Sequence, residues 1–97
     1  MSGPQVVNVT KMVLDVLKPH QPSILEMSRL ICELEGVRSV NTVLREVDAD
    51  TETVVLSIEG NCLDYDEILD VIENCSASVH SIDEVSVETS CDYGEEV

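Results

Sequence analysis

From Val6 to Leu17 the chain alternates with period two. Thr10, Met12, Leu14 and Val16 fall on one side, and Val9, Lys11, Val13, Asp15 and Leu17 on the other, which is the repeat of a strand in a sheet. Apolar residues stand on both sides. The pattern therefore predicts a central strand, covered by helices on one face and at least partly by something else on the other. Lys18-Pro-His-Gln-Pro22 ends the strand. Ser23 and Glu26 then stand in capping-box positions, each able to satisfy the other's free backbone donor. Ile24, Met27, Leu30, Ile31 and Leu34 share one helical face, so a helix is predicted to run to Glu35 and stop at Gly36.

Val37 to Asp48 is β-branched and alternating, Asp48-Ala-Asp-Thr-Glu52 reads as a turn, and Thr53 to Glu59 places Val54, Leu56 and Ile58 on one side; together these predict a hairpin. Asp64 can cap a second helix, with Glu67 three residues on and Leu63 against Ile68 as a hydrophobic staple. Its buried stripe is Tyr65, Ile68, Leu69, Ile72 and Cys75. In a last strand from Ser78 to Glu88, the apolar positions Val79, Ile82, Val85 and Val87 change phase once, which predicts a bulge near Ser81 to Asp83.

Strand, helix, strand, strand, helix, strand is the order of the α+β ferredoxin-like βαββαβ sandwich. Its four-stranded antiparallel sheet has the order 4-1-3-2, with two helices on one face. The expectation is one domain over residues 1–97, with its core at about 6–89 and an acidic, flexible tail at 90–97. The open face of the sheet should carry Val9, Val13, Leu17 and Val55 among Lys11, Asp15 and Ser57. That is more apolar surface than a monomer leaves in water, so homo-oligomerisation through this face is expected.

Charge narrows the function. The 97 residues hold five Lys and Arg against twenty Asp and Glu, for a net −15. The basic residues are Lys11, Lys18, Arg29, Arg38 and Arg45, and none follows Arg45. A phosphate backbone would be repelled by the second half of the chain, so direct nucleic-acid binding is not expected. The acids suit a salty cytoplasm, a basic partner or divalent cations; the first is favoured because they are spread over helices, loops and tail rather than gathered in one motif. No long apolar run and no basic-then-apolar leader is present, so membrane insertion is not expected and the cytoplasm is the default location. Cys32, Cys62, Cys75 and Cys91 are far apart and lack a Cys-x-x-Cys pair. Free thiols are expected, with Cys32 in the core and Cys91 exposed.

Five blocks stand in order along the chain: Val13-Leu-Asp-Val-Leu-Lys-Pro-His20, Leu34-Glu-Gly-Val37 followed by Val40-Asn41, Ile58-Glu-Gly-Asn61, Leu63-Asp-Tyr-Asp-Glu-Ile68 and Val79-His-Ser-Ile-Asp-Glu-Val85. Together they resemble an archaeal family known as domain of unknown function 211. The resemblance implies a ferredoxin-like fold, an archaeal cytoplasm and ring-like homo-oligomers, and it implies no known activity. The chain is more acidic than the family pattern and has extra cysteines, which suggests a halophilic source.

Two groups of residues could carry chemistry. The topology sets the end of the first strand beside the start of the fourth, so His20 and His80 could approach each other and begin a metal site, where nitrogen ligands would favour zinc or nickel over calcium. Asp48-x-Asp50-x-Glu52 has the alternating oxygen ligands of a calcium site, without the glycine and distant Glu of an EF-hand loop. Each has a plainer reading. A histidine after proline is commonly a loop residue bonded to the backbone, and an acidic hairpin turn is commonly just solvated. The acids of Asp64-Tyr-Asp-Glu67 are accounted for by helix capping. No nucleophile elbow, phosphate loop or catalytic triad pattern occurs. The reading that results is a non-enzymatic homo-oligomeric module, binding a small ligand or a protein partner between subunits and needing no cofactor. A divalent-cation binding protein is the alternative, followed by a small enzyme with an inter-subunit site built around His20 and His80.

Overall fold

Six elements follow the expected order: β1 (Val6–Pro19), α1 (Ile24–Cys32), β2 (Val37–Val47), β3 (Thr51–Gly60), α2 (Tyr65–Asn74) and β4 (Ser78–Ser90). This computed structural model describes residues 6–90, and side chains from 7 to 89. The expected tail and Cys91 therefore lie outside the described residues, apart from the backbone of Ser90. The strands form one antiparallel sheet ordered β2-β3-β1-β4, which is the ferredoxin-like arrangement read from the other edge.

The two helices bury a common core against one face of the sheet. Met12, Leu14 and Val16 of β1 and Val54, Leu56 and Ile58 of β3 meet Met27 and Ile31 of α1 and Ile68 and Ile72 of α2. Capping sets where each helix begins. The Glu26 amide donates to Ser23 Oγ at 3.1 Å, and Asp64 Oδ1 accepts from the Asp66 and Glu67 amides. The C-terminus of α1 differs from expectation, ending at Cys32 rather than Glu35. Its last turn tightens, because Leu34 N bonds Ile31 O at 3.1 Å. That lets Leu34 keep its place against the core while Gly36, at φ +91°, turns towards Asn61.

Irregular pairing between β1 and β4 decides which side chains face the core. The expected bulge is present as the extra residue Asp83, and His80 is a second one. A third irregularity, at Thr10 on β1, is not legible in the period. It inverts the phase of the strand, so Val9 packs against the core rather than lining the open face. The β2–β3 turn is also shorter than expected. Asp48 N closes it on Thr51 O at 2.8 Å, and Glu52 belongs to β3, opposite Lys18. The continued ladder from Lys18 to Glu52 and from Pro19 to Thr51 accounts for this.

Candidate functional site

Strands and helices are mismatched in length. At about 3.3 Å per residue β1 spans some 46 Å, whereas nine or ten helical residues reach only about 14–15 Å. The helix layer therefore leaves parts of the sheet uncovered. Two places result where the fold gathers chemistry: a polar clasp at the turn end of the sheet, and a set of apolar side chains along its edges.

The clasp grows from the core pattern itself. Lys18 continues the inward register of Met12, Leu14 and Val16, and its side chain is 0% exposed. A buried ammonium requires acceptors, and Lys18 Nζ donates to Pro19 O at 2.8 Å and to Glu52 Oε1 at 3.1 Å. The other oxygen, Glu52 Oε2, lies 3.0 Å from His20 Nδ1, while His20 Nε2 lies 3.0 Å from Ala49 O. A carboxylate and a carbonyl both only accept, so the ring that satisfies both is the imidazolium. Accordingly the hydrogen bond from His20 holds the Glu52 carboxyl below its usual range, with help from Lys18. The same bond, with that to Ala49 O, raises His20 above its usual value. Pro19, which ends β1, positions His20 over the turn, and the ladder positions Lys18 and Glu52.

Cys75, at the end of α2, lies in the same region. The thiol is buried and pushed up by that burial, against the opposing influence of Lys18. Both ring nitrogens of His20 and both oxygens of Glu52 are engaged within the protein. The cluster is thus built to tie β1 to the β2–β3 turn.

The residues named as metal candidates are distributed as follows. Glu52 and His20 are in the clasp, with Asp48 and Asp50 exposed on the turn beside it. His80 is apart: it is the extra residue of β4 opposite Asp15 and Val16, four to five positions back along β1 from His20, or roughly 13–16 Å at strand spacing. Among the described residues no group of three or more His, Cys, Asp or Glu is arranged to hold a metal ion. Lys18 escaped notice in the sequence because a lysine just before Pro19 reads as the polar end of a strand. The signal that could have found it is its even position, in phase with Met12, Leu14 and Val16. Cys32, expected in the core, is exposed, as is Cys62. Cys32 lies within α1 but one residue past buried Ile31, which turns it off the core-facing side.

The second feature is apolar. Val43, Leu44 and Val47 on β2 and Ile82, Val85 and Val87 on β4 are all between 43% and 59% exposed. The register explains the exposure, since Leu44, Ile82 and Val85 pair with Val54, Leu14 and Met12 on the helix side. These three, with Val47 and Val87, belong to the face that helices cover, but on edge strands the helices do not reach them; Val43, opposite Val55, lies on the open face. On the open face a shallow groove of about 450 Å³ is lined by Asp15, Arg45, Glu46, Thr53, Val55 and Asp83. No helix among the described residues is long and apolar enough to cross a membrane.

Comparison with known proteins matches most of the chain. The uncharacterised protein MJ0319 of Methanocaldococcus jannaschii is 46% identical over 77 residues, which is 79% of each chain. The family model described as Uncharacterized ArCR, domain of unknown function 211, matches residues 10–91. With this match over most of its length and an archaeal relative at that identity, the chain belongs to the domain of unknown function 211 family.

Proposed function

We propose that this chain is a non-enzymatic, self-associating module that takes a small ligand or a protein partner in clefts between its copies. One observation carries the reading: six large apolar side chains stand exposed on the two edge strands, Val43, Leu44 and Val47 on β2 and Ile82, Val85 and Val87 on β4. Edge strands also present unpaired backbone donors and acceptors, and proteins that stay monomeric blunt such edges, often with lysine. Neither β2 nor β4 contains a lysine. The engaged atoms of Lys18, His20 and Glu52 support a structural rather than a catalytic part for this polar cluster. The net charge of −15 fits assembly in a salty cytoplasm, where ions screen the repulsion between copies.

Light scattering in molar potassium chloride and in dilute buffer, each with and without chelator, tests the reading. The expected result is an assembly of several chains in molar salt that loosens in dilute buffer and ignores chelator. A monomer under every condition would overturn it, and dissociation by chelator alone would replace it with a cation-held assembly.

A further inference from the structure

Resting on that self-association, we infer that copies join edge to edge, the β4 edge of one chain pairing antiparallel with the β2 edge of the next to continue the sheet. Direction permits this. Within one sheet β2 runs parallel to β1 and β4 runs antiparallel to it, so copies set side by side in the same orientation bring β4 against β2 in antiparallel sense.

Charge favours it as well. β2 carries Arg38 and Arg45 against the single acid Glu46, while β4 carries Asp83, Glu84 and Glu88 with no Lys or Arg. In a chain of such acid excess, β2 is the edge strand with a surplus of basic residues. Two β4 edges or two acidic helix faces would repel each other; β4 against β2 attracts.

The bulges define a register. On β2 the pairing slips at Arg45, so that Leu44 and Val47, three residues apart, both lie on the helix face. On β4 it slips at Asp83, so that Ile82 and Val85, also three apart, lie on the helix face. Each edge thus shows two apolar side chains with two charged residues between them turned to the open face, where Arg45, Glu46 and Asp83 line one groove. An antiparallel contact that sets Leu44 against Val85 also sets Val47 against Ile82 and Arg45 against Glu84. The matched bulges let the apolar pairs and the ion pair form together. Within one chain Leu44 stands level with Val79, through Val54 and Val16. Val79 and Val85 stand opposite Val16 and Met12, with His80 and Asp83 as extra residues between them, so neighbouring copies are staggered by four strand positions, about 13 Å at strand spacing, as in sheets that close with shear. Glu46 faces Asp83 in this contact, and that acid pair makes the joint tighter in salt.

A charge-exchange experiment in molar potassium chloride, followed by light scattering, tests the contact. Arg45→Glu and Glu84→Lys each place like charges across the joint, and each alone should lower the assembled mass at a given concentration at least tenfold in apparent association constant. Mixing the two variants one to one, or combining them in one chain, restores opposite charges at every joint and should restore assembly. Circular dichroism of each variant excludes misfolding; the urea midpoint of Arg45→Glu should match the parent, while that of Glu84→Lys should fall slightly, because Glu84 Oε2 lies 3.3 Å from Lys11 Nζ in its own chain. If the parent chain assembles and both single variants assemble equally well, the edge contact is overturned while self-association stands. Failure of the mixture and of the double variant to recover, with folding intact, likewise overturns the assigned pairing. A monomeric parent removes self-association itself.

Discussion

Gly60→Ala is the most direct test of how the two halves of the fold meet. Gly36, after α1, and Gly60, at the end of β3, cross at van der Waals distance, and Asn61 N donates to Gly36 O at 2.8 Å. A Cβ at Gly60 would overlap the Gly36 carbonyl oxygen and stand 3.0 Å from Arg38 N. These neighbours are backbone, with no flexible side chain to swing aside. Relief requires the start of β2 to move away from β3, which strains the packing by about 1–3 kcal/mol and weakens the Asn61 hydrogen bond, worth about 1 kcal/mol. Adding these gives a loss of about 2–4 kcal/mol. At about 4–8 °C per kcal/mol for a domain of this size, the melting temperature falls by roughly 8–32 °C. Urea unfolding of parent and variant, at a salt concentration where both have the same assembly state, gives the free-energy difference. Ser39→Ala, an exposed site near the start of the neighbouring strand β2, serves as a control and should change stability by less than about 0.5 kcal/mol. A Gly60→Ala chain with the parent's urea midpoint would refute the close-crossing account.

Two further outcomes concern the clasp. His20 is raised above its ordinary 6.5 and Glu52 lowered below its ordinary 4.5. The His20 contribution is thus complete below about pH 6.5 and lost as pH rises through the folded value, while the Glu52 contribution is complete above about pH 4.5 and lost as pH falls through its folded value. Urea midpoints measured across pH should show a maximum between these limits, and His20→Asn should abolish the fall on the alkaline side; an unchanged alkaline limb in that variant would remove His20 from the clasp. Peptide mapping after brief thiol labelling should find Cys32 and Cys62 modified in the folded chain and Cys75 only after unfolding, and rapid modification of Cys75 would refute its burial at the end of α2.

Sequence by itself determined the element order, the α+β class, both helix N-caps and nearly all of the core. These follow from local periodicity and short-range hydrogen bonding, which the chain displays residue by residue: Met12, Leu14 and Val16 alternate, and Ser23 and Asp64 cap. Apart from the bulge at Asp83, which the phase change in β4 shows, tertiary structure alone decided where that periodicity slips. The bulge at Thr10 turned Val9 inward, and a continued ladder drew Glu52 out of the turn and onto Lys18. It also separated His20 from His80 and left apolar residues bare on β2 and β4. Each of these depends on pairing between residues distant in sequence, or on short helices failing to cover long strands. Register and coverage are properties of two elements together, and no single stretch of chain carries them.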